Sequence, residues 1–461
     1  MCFRISEFML NWKLYFLTQK KLKRLNSTHF KLFVVVLVIY LYFLNGFHSS
    51  NEWSRYALIQ AIIDEHRLII DNYISNTLDF SYYNGHSYSD KAPGLSFVGI
   101  PVYFIAKFLI DSRWIQYLLI SLISIFSALS VVLVYELVGI LGGNKTSKLL
   151  TALIYAFGTI AWVYSKNFFA HGFSAFLLLL SMYYARLFVQ ENNVKFIFVS
   201  GIAIGYSIVV EYPNLLLLVP FLLYFISYNT KKKLIYFIVP VALFLMVLGT
   251  YHYICFGSPF STPYRYTSGY GNVQDIDVFS NPVHKGLFWL LFSPYRGLFY
   301  LSPVLLLSPF GLFLLYKKYK PETILFLSFF MIIVLFYSRY IYWSGGACYG
   351  PRFILAVVPF FTLPLAQVIE KYKDQRSFLL LFFVLMGYSI FANAMGVIVS
   401  YHVGQEIRNP LLYNVKYLQN GGTIDSFLFS VVSPLTILFP IIVILICITP
   451  ILIDRLHTKK M

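Results

Sequence analysis

Long apolar runs recur along the chain and predict helices that cross a membrane. A helix of about 17 to 25 apolar residues spans the hydrocarbon core of a bilayer, and runs of that length alternate with short polar segments. Twelve spans are predicted, at residues 31–47, 114–140, 148–164, 172–189, 196–211, 213–228, 234–255, 298–316, 322–339, 353–369, 378–398 and 431–453. No polar stretch between them is long enough to fold as a separate soluble domain. The predicted fold is an all-α, polytopic membrane bundle over residues 31–453, with a basic segment 1–30 before it and a tail 454–461 after it.

A further apolar stretch, residues 93–110, determines on which side of the membrane every later loop lies. It is long enough to span, yet Pro101 interrupts it and Lys107 lies near its end. If it spans, the lysine clusters at 231–233 and 317–320 face outward, which contradicts the positive-inside rule. If it does not span, the cytoplasmic segments hold 23 of the 36 Lys and Arg residues. We therefore predict an interfacial or re-entrant helix, a multi-pass protein of the cytoplasmic membrane, and two cytoplasmic termini.

Composition supports a bilayer protein and argues against a nucleic-acid partner. The chain is 59% hydrophobic, 20% aromatic and only 12% charged. Its net charge of +17 is mostly cytoplasmic, because the outer side receives twelve of the nineteen acidic residues and thirteen basic ones. Contact with anionic lipid headgroups accounts for the inner charge. The four cysteines lack disulfide or metal-ligand spacing, and no cleavage site follows the first apolar run, so neither a disulfide nor a cleaved signal peptide is expected.

The long outer loops are where functional residues are expected, because irregular segments of that length are rarely mere connections. Three are predicted, at residues 48–112, 256–297 and 399–430. The first opens with apolar residues at helical spacing, including Trp53 and Tyr56, which predicts an amphipathic helix on the membrane surface with Asn51 as its N-cap. Glu52 lies near the positive end of this helix. It is either a first-turn acid that complements the helix dipole or a functional carboxylate at the membrane boundary.

The same loop ends in a turn-rich segment, YYNGHSYSDKAPGLSF. Asn84 and Gly85 predict a tight turn, and Asp90 and Lys91 come directly before a predicted helix start. An ammonium group there lies at headgroup depth. Lys91 therefore either snorkels without a function or contacts a phosphate.

Four more candidates lie in the outer loops or at the outer ends of spans. Arg352 follows a Gly-rich bend, where its guanidinium either forks onto a phosphate or anchors the chain at the interface. Arg265 lies among tyrosines, which suits sugar stacking and an aromatic belt alike. Glu211 precedes a turn at a membrane edge, where an acid is either a site residue or one half of a salt bridge. His171 lies in the loop KNFFAHG, and no grouping in the sequence has the spacing of metal ligands.

Several motifs together indicate a family. The stretches are NEWSRYALIQAI, YYNGHSYSDKAPGLSF, AFGTIAWVYSKNFFAHGFSAFLL, SPYRGLFYLSPVLLL and YWSGGACYGPRFILAVVPF. In their order and spacing they resemble bacterial and archaeal membrane glycosyltransferases of the GT-C superfamily, in the group similar to protein O-mannosyltransferases and aminoarabinose transferases (glycosyltransferase family 39-like). The resemblance covers most of the chain. It implies a GT-C-like helical bundle with its active site on the outer side.

The resemblance also suggests roles for individual residues. It implies that Glu52 is the base or the acceptor-orienting group and that Lys91 contacts the donor phosphate. Many relatives have two adjacent acids at this point, whereas this chain has Asn51 followed by Glu52. It further implies inversion at the anomeric carbon of the sugar.

The function predicted from the sequence is transfer of a hexosyl or pentosyl group from a polyprenyl-phosphate donor to an acceptor outside the cytoplasmic membrane. Glu52 is the predicted catalytic residue. The predicted substrate-binding residues are Lys91, Asp90, Arg352, Arg265, His171 and Glu211. No cofactor is implied, since the donor carries its own leaving group and phosphate-loop motifs are absent. The sequence is compatible with three kinds of acceptor, namely a protein, a glycolipid and a wall polymer.

The rival interpretation is a transporter or flippase of a lipid-linked glycan. Such a protein needs ionisable groups at mid-membrane depth and often an internal repeat. The chain has few charges away from the ends of its spans and no clear repeat. A non-catalytic scaffold is a second rival, which the charged, turn-rich outer loops argue against.

Overall fold

The computed structural model describes residues 27–267 and 277–422, and most of them are helical. The helical membrane fold predicted from the apolar runs is therefore confirmed. The predicted span 431–453, the tail 454–461 and nearly all of the segment 1–30 lie outside the described residues, as do parts of the second and third long loops.

The α-helices, in chain order, are α1 (Ser27–Tyr42), α2 (Ser50–Asp64), α3 (Gly94–Leu109), α4 (Ser112–Ile140), α5 (Lys145–Phe157), α6 (Ala170–Glu191), α7 (Val194–Val210), α8 (Leu218–Ser227), α9 (Ile235–Phe256), α10 (Val283–Leu291), α11 (Leu298–Leu301), α12 (Ser308–Tyr316), α13 (Lys320–Arg339), α14 (Val358–Thr362), α15 (Leu365–Tyr372), α16 (Arg376–Ile398) and α17 (Pro410–Gln419). Short 3₁₀ helices lie at Asp71–Asn76, Val163–Lys166, Tyr212–Leu217, Lys231–Lys233, Pro263–Tyr266, Pro303–Leu307 and Arg352–Val357. The strands β1 (Phe80–Tyr83) and β2 (His86–Ser89) pair antiparallel.

Fewer helices in the described part of the chain qualify as membrane spans by length and composition than the twelve that the sequence predicts. Among the described residues five helices are long and apolar enough to cross, or six if the bent pair Arg352–Thr362 and Leu365–Tyr372 is one span. Five shorter apolar helices accompany them. One predicted span, 298–316, is broken at Ser302 and Pro303, because proline lacks the N–H that would continue the helix. The total of twelve stays a prediction.

Residues 93–110 return the chain to the side on which they begin. The first residues of α1 and the last turns of α4 meet where His29 Nε2 lies 2.5 Å from Glu136 Oε1. At the opposite end, the amide of Phe47 donates to Gln116 Oε1 at 2.9 Å. Helices α1 and α4 are therefore antiparallel, and the chain between them starts and ends on one side. Helix α3 does not carry the chain across, as the charge pattern predicts.

The lysine-rich connections gather at one end of the bundle. The amide of Asn144 donates to Glu370 Oε2 at 3.2 Å, and Lys233 Nζ donates to Asn192 Oδ1 at 2.6 Å. We call this end the basic face, and it is formed by residues 141–148, 186–195, 228–233, 317–322 and 367–376. The opposite end, which holds the first long loop, is called the site face. Positive charge is thus concentrated away from the candidate site.

Helix α2 differs from the predicted surface helix, because it is buried on most of its positions. Its buried polar side chains form hydrogen bonds within the protein. Ser54 Oγ lies 2.8 Å from Ser89 Oγ of β2, and Arg55 donates to the carbonyl of Ala92 at 3.0 Å. The N-cap is Ser49, two residues before the predicted Asn51. Helix α2 is therefore packed into the protein on the site face and does not lie on the membrane surface.

The hairpin β1–β2 fixes the segment that ends at Lys91. Asn84 and Gly85 form its turn with φ of 47° and 85°, as their sequence predicts. The side chain of Asp71 accepts from the amide of Ser87 at 2.6 Å and holds the hairpin against the preceding 3₁₀ turn. Asp79 and Asp90, which flank the two strands, are thereby brought together.

Candidate active site

The carboxylate of Glu52 accepts five hydrogen bonds, and its side chain is fully buried. Oε2 accepts from the amides of His48 at 2.9 Å and Ser49 at 3.1 Å, from the Ser49 hydroxyl at 3.2 Å and from the Tyr401 hydroxyl at 2.6 Å. Oε1 accepts from the amide of Phe168 at 3.0 Å. These donors come from three distant parts of the chain. Glu52 therefore fastens three loops together, and its oxygens face protein donors.

Lys91 forms ion pairs with two carboxylates. Its Nζ lies 2.7 Å from Asp79 Oδ2 and 3.0 Å from Asp90 Oδ2. Burial raises the pKa of Asp90 to about 6, although Lys91 opposes the shift. Burial alone would lower the pKa of Lys91, but Asp90 and Asp79 outweigh it and raise that pKa. Lys91 is therefore a permanent cation, and Asp90 changes charge in mildly acidic water.

Glu211 lies between a cation and an imidazole. Its Oε1 is 3.8 Å from an Arg55 guanidinium nitrogen and 3.4 Å from His171 Nδ1. Burial raises the pKa of Glu211 even though Arg55, Arg352 and Lys91 all lower it. Unlike the side chain of Glu52, that of Glu211 is not fully buried, and 14% of it is exposed. Glu211 is therefore a partly desolvated acid.

Arg352 is the cation of this group with no acidic partner. No carboxylate among the described residues lies within 4.0 Å of it, and its buried Nε has no hydrogen-bond partner there. The guanidinium instead lies over the rings of Phe169 at 4.7 Å and Phe353 at 5.2 Å. Stacking leaves the in-plane N–H groups free to donate, so Arg352 is suited to an incoming anion.

These side chains form one electrostatic unit. Arg55, Arg352 and Lys91 each act on the pKa of Glu211, and Asp90 acts on that of Arg55. We call this unit the charged cluster, and its members are Arg55, Asp79, Asp90, Lys91, His171, Glu211 and Arg352. Among the described residues no group of three His, Cys, Asp or Glu side chains is placed to hold a metal ion.

The structure brings together most of the residues singled out from the sequence. Lys91, Asp90, Arg352, His171 and Glu211 all belong to the charged cluster. Glu52 lies on the same helix as Arg55, but its carboxylate accepts hydrogen bonds from the N-terminal cap of that helix and from Phe168 and Tyr401.

Arg265 is the candidate that stands apart. It is exposed, and no ion pair or cation–π contact involves it among the described residues. The neighbouring Tyr264 acts electrostatically on Arg55 instead, and its ring packs edge-on against Tyr212 at 5.8 Å. The binding role of Arg265 therefore stays a prediction, and no contact in the described part of the chain joins it to the charged cluster.

Two cluster members were missed in the sequence. Arg55 follows Glu52 by one helical turn, and that spacing places both on the same face of a helix, which was a usable signal. Asp79 comes just before β1, and only the register of the hairpin shows that it meets Lys91.

One family model matches part of the chain. Residues 123–252 match the family described as dolichyl-phosphate-mannose-protein mannosyltransferase. No curated protein matches the chain. The matched segment runs from α4 into α9 and contains His171 and Glu211.

Solved structures share the fold at low sequence identity. The archaeal oligosaccharyltransferase AglB from Archaeoglobus fulgidus, in complex with an inhibitory peptide and a dolichol-phosphate, has a TM-score of 0.53 and 12% identity over 88% of this chain. This chain spans 61% of the length of AglB. ArnT from Cupriavidus metallidurans has a TM-score of 0.50 and 13% identity when bound to undecaprenyl phosphate, over 92% of this chain and 74% of that one. Its apo state has a TM-score of 0.53 and 11% identity, over 91% and 74%.

The resemblance to GT-C membrane glycosyltransferases is therefore confirmed by a partial family match and by the overall fold.

Proposed function

We propose that this protein transfers a sugar from a polyprenyl-phosphate donor to an acceptor at the site face. The observation that carries the proposal is the juxtaposition of Arg352, a cation with no carboxylate partner, and Glu211, a partly exposed acid, in one charged cluster. Displacement at a sugar carbon needs a cation for the departing phosphate and a base for the acceptor. The solved structures of AglB and ArnT were both captured with polyprenyl-type phosphates.

Arg352 is the principal phosphate contact in this proposal. Its guanidinium offers a planar fork of N–H donors, which matches two phosphate oxygens at once. Lys91 contributes a second positive charge, but Asp79 and Asp90 already compensate it. The lipid tail of the donor would lie in the bilayer along the apolar helices, which explains a site built almost wholly from membrane-associated segments.

Glu211 is the proposed base, in place of Glu52. The carboxylate of Glu52 accepts five hydrogen bonds from protein groups and has no exposed surface, so an acceptor hydroxyl has no position from which to donate to it. Glu211 has exposed surface and a raised pKa, the combination that strengthens a general base. The role of Glu52 is then to position α2, the loop at Phe168 and the segment at Tyr401.

The proposed reaction is a single displacement. The oxygen or nitrogen of the acceptor forms a bond to the anomeric carbon while the bond from that carbon to the phosphate oxygen breaks. The acceptor proton passes to Glu211, and polyprenyl phosphate departs with its bonding electrons, stabilised by Arg352 and Lys91. Attack opposite the leaving group inverts the anomeric carbon, as the family resemblance implies.

The basic face is proposed to lie in the cytoplasm and the site face outside. The lysine-rich connections lie together at one end, and lysine and arginine are retained on the cytoplasmic side of membranes. Together with the predicted span 431–453, which lies outside the described residues, this proposal assigns both termini to the cytoplasm.

The sugar and the acceptor can be identified in cells. Mass spectrometry of glycans and glycolipids from a strain that lacks this protein, compared with its parent, is expected to show one sugar missing from an otherwise normal product. The rival flippase predicts a complete lipid-linked glycan that accumulates on the inner leaflet. Unchanged glycans and glycolipids in the deletion strain would contradict both.

Donor affinity is predicted to rise as the pH falls from 7 to 5. Protonation of Asp90, whose pKa burial raises to about 6, removes one of the two negative charges that compensate Lys91. The carboxylate of Asp90 repels the donor phosphate, and two unit charges about 4 Å apart near a protein surface interact by about 4 kcal/mol. Removing about a third of that repulsion would raise the affinity about tenfold. The measurement is the dissociation constant of a polyprenyl phosphodiester, whose single charge does not titrate in this range.

The matched variant for this experiment is Asp90→Asn. It is expected to bind the phosphodiester at pH 7 nearly as tightly as the wild-type protein does at pH 5, with a flatter profile. A wild-type profile that is flat, or that weakens toward pH 5, would show that Asp90 does not govern the phosphate site.

A Glu52→Gln protein is predicted to be less stable by about 2 kcal/mol or more, because charge-assisted hydrogen bonds are lost and the new amide N–H₂ faces N–H or O–H donors. The measurement is thermal unfolding of the purified protein in detergent. Glu406→Gln, at an exposed glutamate, is the control and should unfold as the wild type does. Unchanged stability of Glu52→Gln together with lost turnover would return the catalytic role to Glu52.

A further inference from the structure

Arg296 is a fully buried arginine outside the charged cluster. It lies in the SPYRG turn between α10 and α11, and its side chain has no exposed surface. No carboxylate among the described residues lies within 4.0 Å of it. Burying a cation without an anionic partner costs free energy. The contacts that Arg296 makes inside the protein must therefore offset that cost.

The guanidinium of Arg296 binds backbone carbonyls from two segments. It donates to the carbonyl of Tyr295 at 3.0 Å and to that of Gly346 at 3.2 Å. It also lies over the ring of Tyr295, 4.0 Å from the centroid. The amide of Arg296 donates to Ser293 Oγ at 3.2 Å, which fixes the turn from which the side chain extends. Arg296 therefore joins the SPYRG turn to the segment around Gly346.

That segment is a turn held in an unusual backbone conformation. Gly345, Gly346 and Gly350 have φ of +75°, +76° and +74°, which side chains with a Cβ rarely adopt. Glycine adopts many backbone conformations with similar free energy, so the glycines alone do not hold the turn in this one. External hydrogen bonds are needed to hold it, and the bond from Arg296 to Gly346 is one of them.

The same turn supports Arg352. A Cβ on Gly345 would lie 2.8 Å from Arg352 Nε and 3.2 Å from its Cγ, so the arginine side chain is packed directly on the glycine backbone. A small shift of the turn at Gly345 and Gly346 therefore moves the guanidinium of Arg352. The path from Arg296 to Arg352 consists of one hydrogen bond, one peptide unit and one van der Waals contact.

We infer that Arg296 is a positioning residue that sets the place of Arg352 through the turn at 344–350. The inference rests on the proposed function of Arg352 as the phosphate contact. Arg296 itself touches no substrate, since it is fully buried. Its charge strengthens its hydrogen bonds to two carbonyls, and the planar fork of the guanidinium spans both segments at once.

The test is the dissociation constant of undecaprenyl phosphate for the purified full-length protein, which requires neither the sugar nor the acceptor. Arg296→Met is expected to weaken binding about tenfold, and Arg352→Gln by a similar or larger factor. Because Arg296 acts through Arg352, the double variant should bind no more weakly than Arg352→Gln alone. Arg296→Lys, which keeps one donor and the charge, should recover part of the loss.

A matched control removes another buried arginine far from the site. Arg186 pairs with Glu322 at 2.5 Å on the basic face, and the double change Arg186→Met with Glu322→Gln removes both charges. It is expected to lower thermal stability while leaving the dissociation constant unchanged. This separates an effect on the phosphate site from general loosening of the bundle.

The outcomes distinguish the two proposals. Absence of undecaprenyl phosphate binding by the wild type, or wild-type affinity in Arg352→Gln, would overturn the proposed phosphate site. Wild-type affinity in Arg296→Met, or losses that add in the double variant, would overturn the role of Arg296 alone. If Arg296→Met does not fold, Gly346→Ala is the alternative variant, and it should weaken binding because the positive φ of this residue strains a side chain with a Cβ. The new Cβ meets only Gln405 Nε2, at 3.6 Å, so the variant adds backbone strain without a steric clash. Wild-type affinity in that variant would overturn the inference.

Discussion

A Glu211→Gln enzyme is expected to turn over at least about a hundredfold more slowly than the wild type, since general base catalysis contributes roughly 10²- to 10⁴-fold. The amide keeps the size of the side chain but cannot accept the acceptor proton. Polyprenyl phosphate should bind with unchanged or higher affinity, because one negative charge near Arg55 and Arg352 is removed. The measurements are the turnover number with the donor identified from the deletion strain and the dissociation constant of undecaprenyl phosphate.

The control for this experiment is Glu191→Gln. Glu191 is exposed at the end of α6 on the basic face, so the same chemical change there should alter neither turnover nor binding. Normal turnover by Glu211→Gln would remove Glu211 from the mechanism. Lost turnover with equally lost binding would make it a residue of the binding site alone.

An Arg352→Gln enzyme is expected to lose about 10²- to 10³-fold in kcat/KM, the usual effect of removing a group that stabilises developing charge in a transition state. Glutamine retains hydrogen-bonding capacity but has neither the positive charge nor the stacking of the guanidinium on Phe169 and Phe353. Arg352→Lys should fall between the two enzymes, because it keeps the charge without the planar fork. Steady-state kinetics with donor concentration varied provide the measurement.

Arg113→Gln is the matched control, because Arg113 is largely exposed on the site face and pairs with Asp111 at 3.1 Å. Its kinetics should equal those of the wild type. If Arg352→Gln retained wild-type kcat/KM, the leaving phosphate would have to be stabilised elsewhere.

Local sequence signals predicted the parts of the fold that depend on neighbouring residues. Asn84 and Gly85 predicted a tight turn because they tolerate positive φ, and that turn is present, although the two strands that it joins were not predicted. The distribution of lysine and arginine predicted that residues 93–110 do not cross the bundle, since charge on loops depends on the side of the membrane and not on packing. The start of α2 was misplaced by two residues, because Ser49, Ser50 and Asn51 are all good N-caps.

The sequence singled out charged residues that the fold brings together, but it did not predict the contacts that each of them makes. Lys91, Glu211 and Arg352 were chosen as single charged residues at membrane edges, and they meet in the fold. The hydrogen bond from Tyr401 to Glu52 could not be predicted from sequence patterns, because the two residues lie 349 positions apart along the chain.

The most direct test of the phosphate site is the structure of this protein with undecaprenyl phosphate bound. The phosphate is expected at the site face, with its oxygens roughly 3 Å from the guanidinium nitrogens of Arg352 and with Glu211 facing the space beyond the phosphate. A phosphate bound at the basic face, or on the site face away from Arg352, would contradict the proposed function.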